Sequence, residues 1–188
     1  MRYEFRHWLD TIDIKNPVFI DETGVNMAMT RHYGRGENGV RVYDDRPVNK
    51  GKNITLIGAM SDEGLIASMT FPGSLNSDSF LVFIEQILLI QLWIGAIVVM
   101  DNFPVHYAKT AKALIESAGG KVKFLPPYSP DLSPIELRWS KLKQILRSAK
   151  ARTSDALDVA ITIAINAITD EDALNWFHHC GLFFEPIR

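Results

Sequence analysis

Ala96-Ile97-Val98-Val99-Met100-Asp101 is the stretch of sequence on which the predicted fold depends. Five apolar residues in succession, three of them β-branched, follow Gly95 and predict a short buried strand. An acidic residue stands directly after it. The position of this strand among the neighbouring segments determines the sheet topology.

Helical and strand patterns alternate on both sides of this strand. Residues 77–92 carry Phe80, Ile84, Ile87 and Leu88 at helical spacing. Residues 107–118 predict a second helix, which Gly119-Gly120 ends, and residues 122–125 predict another strand. Strands joined by helical crossovers run parallel, with the helices on the faces of the sheet.

The N-terminal half has a different pattern. Short apolar runs at 17–22, 53–61 and 65–71, with a turn at 62–64, predict an antiparallel meander. Residues 31–52 are rich in Gly and Arg and predict a surface loop with a short strand at 40–43. Antiparallel strands followed by parallel ones indicate a mixed sheet in an α/β domain.

Three helices are predicted to close the chain, at 133–148, 154–169 and 171–179. The middle helix has no charged residue from 159 to 169, so we expect it to be buried on most sides.

Composition excludes several classes of protein. The chain has 188 residues, 47% of them apolar, which suits one compact domain. A formal net charge of −2 argues against a protein whose main task is to coat nucleic acid. The single Cys180 and the charged first residues favour a reducing cytoplasm. The longest apolar stretch, 87–100, is shorter than the roughly 20 residues of a membrane span.

Two acids follow predicted strands. Asp21 comes after Val18-Phe19-Ile20, and Asp101 comes after Met100. Neighbouring parallel strands would bring the two side chains together at the carboxyl edge of the sheet. Two carboxylates at such a short distance repel each other, so a cation between them would stabilise the pair. Alternatively, each Asp is a turn residue at the end of a strand.

A third acid lies at the start of the first closing helix. Glu136 ends a proline-rich loop, with Ser133 as the expected N-cap and Pro134 at the first helical position. The spacing also predicts a capping box, a purely structural role for Glu136. An apolar stripe and a polar stripe run along the helix: Ile135, Trp139, Leu142 and Leu146; and Glu136, Ser140, Lys143 and Arg147. The polar stripe suits a metal at one end and DNA phosphates further along, and a solvated face would look the same.

Three motifs in this order resemble the catalytic domain of mariner-superfamily DDE transposases, in the bacterial insertion-sequence branch. They are Phe19-Ile20-Asp21-Glu22, Val99-Met100-Asp101-Asn102 with His106, and Pro127-Tyr128-Ser129-Pro130-Asp131-Leu132-Ser133-Pro134-Ile135-Glu136. The 34 residues between Asp101 and Glu136 (102–135) match the spacing typical of that superfamily.

The resemblance implies a ribonuclease-H-like fold, an α/β domain with a mixed five-stranded sheet flanked by helices. It places Asp21 on the first strand, Asp101 after the fourth and Glu136 on a following helix. These three acids would be the catalytic residues and the ligands of two Mg²⁺ ions, for which Mn²⁺ substitutes. The implied function is cleavage and transfer of DNA strands in transposition. The implied partners are DNA, as transposon ends and target, and further copies of the chain in an active homo-oligomer.

Other residues are weaker candidates. His106 and Asn102 fit the family pattern near the site. Six basic residues could contact phosphate or form a solvated loop: Arg31, Arg35, Arg41, Arg46, Lys50 and Lys52. Four acids near the motifs are explained by surface solvation: Glu22, Asp44, Asp45 and Asp131.

One departure from the family concerns the N-terminus. Only 16 residues precede the first predicted strand, so residues 1–188 are expected to form a single catalytic domain without the family's N-terminal helix-turn-helix region. The alternative function is therefore a catalytically silent, truncated transposase that regulates an intact one by dimerising with it. A ribonuclease-H-like nuclease without a role in transposition is a third hypothesis, against which the proline-rich motif argues.

Overall fold

A mixed five-stranded sheet forms the centre of the protein. The computed structural model describes residues 1–107 and 109–183, without the side chains of His106 and Tyr107. The strands are β1 (Pro17–Val25), β2 (Ile54–Ser61), β3 (Gly64–Pro72), β4 (Ile97–Met100) and β5 (Lys121–Phe124), in the spatial order β3-β2-β1-β4-β5. β1, β2 and β3 pair antiparallel, whereas β4 pairs parallel with both β1 and β5. The predicted mixed sheet is confirmed.

The helices pack on both faces of this sheet. They are α1 (Arg2–Leu9), α2 (Ser77–Phe83), α3 (Lys109–Ser117), α4 (Pro134–Ala149), α5 (Ser154–Asn166) and α6 (Asp170–His179). A π-helical turn, Ile84–Leu88, continues α2, and two 3₁₀ turns lie at Pro104–Tyr107 and Pro130–Leu132.

Alternate residues of β1 supply the two hydrophobic cores. Phe19 belongs to the core under α1, α4, α5 and α6, where its ring meets Phe177 edge-on with the ring centroids 5.5 Å apart. Val18 and Ile20 belong to the opposite core, under α2 and α3. This alternation follows from the two-residue period of a strand. All three side chains are at most 1% exposed, so this part of β1 is enclosed on both faces of the sheet.

Three sequence predictions about secondary structure are wrong. Residues 40–43 form no strand. Residues 77–92 are not one α-helix, because the amide of Leu89 bonds to the carbonyl oxygen of Ile84, five residues back, in the π-helical turn. The helix predicted at 154–169 ends at Asn166 and is not buried on most sides, since Val159 and Ile163 are 59% and 57% exposed. It packs one face on α4, and its exposed residues include the apolar Val159 and Ile163 beside Asp155 and Asp158.

Residues 2–9 form a helix that the sequence pattern did not predict. Phe5 and Leu9, four residues apart, are 3% and 7% exposed and place α1 on the same core as α4. Together with Trp8 they are the apolar signal in a short segment that also carries Arg2, Glu4, Arg6 and His7.

Within the described residues, no helix is both long enough and apolar enough to cross a membrane.

Candidate active site

Asp21 and Asp101 stand immediately beyond the parallel ladder of β1 and β4. Ile20 and Met100 are the last register pair of that ladder, and each acid is the next residue on its strand. Asp101 follows the end of β4, as expected. Asp21 lies inside β1 and not at its end, because β1 continues to Val25 by pairing antiparallel with β2. The two carboxylates therefore leave the sheet at the same edge.

Glu136 reaches the same region from the first turn of α4. Ser133 is the N-cap and Pro134 the first helical residue, as predicted, but the Ser133 side chain makes no capping hydrogen bond. The capping box, the structural alternative for Glu136, is therefore not formed. Glu136 is exposed, whereas the stripe beginning at Ile135 is buried against the sheet.

One cavity of about 450 Å³ brings these residues together. Asp21, Asp101 and Glu136 all line it, and the turn after β4 contributes Asn102 and Phe103. The opposite wall is the proline-rich segment, defined here as residues 125–133, most of which lines the cavity. The structure thus places the three predicted carboxylates, from three separate elements, on one concave surface.

The carboxylates destabilise one another's charged forms. Desolvation raises the pKa of Asp21 well above its ordinary value, and the negative charges of Glu136, Glu22 and Asp101 add to this effect. Desolvation also raises the pKa of Glu136. The Lys143 ammonium lowers this pKa in part, and the negative charges of Asp101 and Glu22 raise it further. An added cation in the cavity would relieve this repulsion.

Hydrogen bonds fix the turn that carries Asp101. The Asp101 carboxylate accepts a hydrogen bond from the backbone amide of Phe103 at 2.9 Å, and the Asn102 side-chain amide donates to the carbonyl oxygen of Leu125 at 2.7 Å. Asp101 therefore does have the role of a turn residue at the end of its strand. This role is compatible with metal binding, because a carboxylate has about four lone-pair positions.

The site residues suit a divalent metal by donor type. Carboxylate oxygens are the ligands that Mg²⁺ prefers, and three carboxylates line this cavity. Among residues 1–107 and 109–183, however, no three acidic, His or Cys side chains form a ready-made metal site. The role of the three carboxylates as metal ligands is therefore a prediction. The side chain of His106 lies outside the described residues.

Glu22 is closer to the site than the sequence indicated. Surface solvation does not explain Glu22 fully, because its side chain is half-buried and its charge raises the pKa of both Asp21 and Glu136. Its place directly after Asp21 was the available signal. Asp44 and Asp131 instead form ion pairs, with Lys150 at 2.6 Å and with Arg2 at 2.5 Å.

The basic loop, residues 31–52, packs against the C-terminal end of α4. Arg31 donates to the Ser148 hydroxyl. The loop lines a second cavity of about 850 Å³. Arg35, Arg46 and Lys150 line this cavity beside two exposed tyrosines. Cations and aromatic rings on one concave surface could contact a nucleic acid backbone and its bases.

A family model decides the classification of the chain. The model described as DDE superfamily endonuclease matches residues 16–158, which include β1, β4, the start of α4 and all three carboxylates. The chain belongs to the DDE superfamily of endonucleases. A search among curated proteins found no significant match.

Solved structures of a transposase share the fold of this DDE superfamily chain. The Mos1 transposase paired-end complex with left transposon end is 18% identical, with a TM-score of 0.74, over 95% of this chain and 56% of that one. The Mos1 mariner paired-end complex with Mg is 19% identical, with a TM-score of 0.72, again over 95% of this chain and 56% of that one. The catalytic domain of Mos1 mariner transposase gives 16% and 0.68, over 95% of this chain and 83% of that one. These matches confirm the ribonuclease-H-like fold, and the chain spans a little over half the length of the complete Mos1 chains.

Proposed function

We propose that this DDE superfamily chain is the catalytic domain of a mariner-superfamily transposase of the bacterial insertion-sequence branch. It cleaves DNA strands and joins them to a target. The observation that carries the proposal is the cavity beyond the ladder of β1 and β4, where Asp21, Asp101 and Glu136 meet. Three acids from distant parts of the sequence converge there, and the desolvation that raises the pKa of Asp21 and of Glu136 is a cost that a purely structural role would not require.

Asp21, Asp101 and Glu136 would hold two Mg²⁺ ions, with Mn²⁺ as a substitute. When bound by these residues, such cations would supply activation of the attacking hydroxyl and stabilisation of the charge on the leaving 3′-oxygen. The proposal is supported by the oxygen-only donor set and by the raised pKa of Asp21, which a bound cation would reverse. Mos1 structures with Mg and with Mn have the same fold.

The other residues of the site position DNA and the acids. Asn102 fixes the turn of Asp101 to the end of β5 through the carbonyl oxygen of Leu125. Lys143 and Arg147 follow Glu136 along one face of α4, where they can contact the phosphates beside the scissile one. The positive charge of Lys143 also offsets part of the negative charge of the carboxylates in the cavity.

No covalent protein intermediate is needed in this mechanism. Cys180 is buried, and burial raises the pKa of its thiol to about 12, so the sulfur stays protonated and unreactive near neutral pH. The attacking group is instead water or a DNA 3′-hydroxyl, whose proton passes to solvent.

The partners follow from the same chemistry. The DNA substrates are transposon ends and target, with phosphates contacted by α4 and the basic loop, and the active form is a homo-oligomer. A direct test incubates the protein with labelled duplexes that carry candidate element ends and with a target plasmid. Magnesium-dependent nicking and joined products are expected, with none in EDTA. Folded protein that cuts no DNA with Mg²⁺ or Mn²⁺ would contradict the proposal.

A further inference from the structure

One side chain of α1 binds the proline-rich segment at three points. The Arg2 guanidinium donates to the carbonyl oxygen of Tyr128 at 3.3 Å and to the Ser129 hydroxyl at 2.9 Å, and it forms an ion pair with Asp131 at 2.5 Å. These contacts connect residues that are more than 120 positions apart in the sequence. One terminal nitrogen of the planar guanidinium serves Tyr128 and Ser129 and the other serves Asp131, a rigid fork that the point charge of an ammonium group does not reproduce.

The helix that carries Arg2 is itself held in place. Phe5 and Leu9 are buried in the core, and the ring of Trp8 lies 5.1 Å from that of Phe5. The Lys123 ammonium of β5 stacks over Trp8 at 4.9 Å from the ring centroid. Arg2 therefore extends from a helix that is held in place, so its contacts restrain the proline-rich segment relative to the core.

The proline-rich segment needs an external restraint. Tyr128 has a φ of 53°, a left-handed conformation that is unfavourable for a residue with a side chain, and its ring is 98% exposed. The ring therefore contributes little packing to hold this backbone. Ser129 accepts from Arg2 and donates to the carbonyl oxygen of Pro127 at 3.1 Å, so the contact continues into the wall of the cavity.

We propose that Arg2 is a positioning residue for the active site: by binding the proline-rich segment from outside, it holds the cavity wall and the entry to α4 in the arrangement that Glu136 needs. The inference rests on the proposed function for its metal readout only. Ser133, the N-cap of α4, directly follows the 3₁₀ turn that contains Asp131, and Glu136 comes three residues later, so movement of this turn would move the carboxylate. Tyr128 and Ser129, which Arg2 binds, line the cavity together with Glu136, whereas Arg2 itself does not line it.

The test compares Arg2→Ala and Arg2→Lys with Arg6→Ala in the full chain. Arg6 is the matched control, because it lies on the same helix and approaches Asp131 only to 4.0 Å. An ion pair between exposed side chains adds little stability, so all three variants should melt within about 4 °C of the wild type.

The first readout is hydrogen exchange, which needs no metal. The amides of Leu132 and Ser133 bond to the carbonyl oxygens of Ser129 and Pro130 within the turn. In Arg2→Ala they should exchange about tenfold faster, because the turn opens more often. Arg2→Lys should fall between, and Arg6→Ala should match the wild type. Equal exchange in Arg2→Ala and Arg6→Ala would overturn the proposal.

The second readout is the dissociation constant of Mn²⁺, measured by calorimetric titration of Mn²⁺ into the protein without DNA. Arg2→Ala should bind Mn²⁺ roughly tenfold more weakly, the size of effect seen when residues that orient metal ligands are removed. Unchanged Mn²⁺ binding by Arg2→Ala would also count against the proposal. A wild type that binds no Mn²⁺ would refute the proposed function instead, and the exchange experiment would still decide the role of Arg2.

Discussion

The Trp139 ring lies directly on the backbone of Gly58, across the interface between α4 and the sheet. A Cβ atom at residue 58 would stand 2.9 Å from Cη2 of that ring, closer than real Cβ contacts come. Gly58 is also the register partner of Asp21 in the ladder of β1 and β2. The lack of a side chain at Gly58 therefore sets how closely α4, and with it Glu136, approaches Asp21.

Gly58→Ala should destabilise the protein and impair catalysis. Its methyl group would push on Trp139 and on Leu65, whose Cδ1 would be 3.0 Å away, so either the ring or α4 must shift. Overpacking of this kind costs about 1–3 kcal/mol of unfolding free energy. Urea titration measures this loss, and the DNA cleavage rate should fall as well.

The double variant Gly58→Ala/Trp139→Phe is the control. Phenylalanine lacks the outer ring atoms that meet the new methyl group, so the loss should be smaller than the sum of the two single losses. Strict additivity would show that the contact with Trp139 does not limit the approach of α4.

Asp21→Asn should stabilise the metal-free protein, and increasingly so as the pH rises. The pKa of Asp21 is raised in the folded state, mainly by desolvation, from an ordinary value of 3.8. The wild type therefore has its full stability below pH 3.8 and loses part of it as the pH rises through the raised folded value. The asparagine variant has no such loss, and the gap between the two Tm values should widen from acid to neutral pH in EDTA.

Asp45→Asn, at an exposed position of the basic loop, is the matched control and should show no such widening. Added Mg²⁺ should raise the Tm of the wild type more than that of Asp21→Asn. A constant Tm difference across the pH range would mean that Asp21 is not held in a desolvated, acidic environment.

DNA affinity should fall steeply with salt and depend little on sequence. The formal net charge is −2, and two bound Mg²⁺ ions would reverse its sign at the place where the scissile phosphate lies, so metal should strengthen binding. Contacts to phosphate without sequence-specific hydrogen bonds to base edges support dissociation constants of ~10⁻⁴ to 10⁻⁶ M. Titration of repeat and scrambled duplexes at several salt concentrations measures both properties.

The variant Arg35→Ala/Arg46→Ala should reduce the salt slope by roughly one for each phosphate that the protein no longer neutralises. Lys112→Ala/Lys121→Ala removes the same charge from α3 and from the opposite end of β5, and it should leave the slope almost unchanged. Equal effects of the two pairs would show that overall charge, and not the basic loop, determines binding.

The sequence predicted the sheet and the gathering of the acids because both depend on strong local signals. Continuous apolar runs define β1 and β4, and helical crossovers require parallel pairing, which places the residues after Ile20 and Met100 at one edge. The buried stripe of α4 follows from helical periodicity in the same way.

The features that the sequence did not predict depend on tertiary contacts. α1 is stabilised by two buried side chains and by Trp8 against Lys123, none of which gives a strong pattern in eight residues. The predicted burial of α5 was wrong because the absence of charge does not supply a packing partner. Whether Glu136 forms a capping box could not be decided from spacing alone, since the Ser133 side chain determines it.

Mg²⁺-dependent DNA cleavage by Asp21→Asn, Asp101→Asn and Glu136→Gln tests the central claim most directly. An amide is a poor ligand for a hard cation, so each variant should lose cleavage completely while circular dichroism and Tm show an intact fold. Because three separate elements supply the acids to one cavity, all three losses are required. Wild-type cleavage by any one folded variant would contradict the assignment of that residue, and cleavage by all three would contradict the account of the active site.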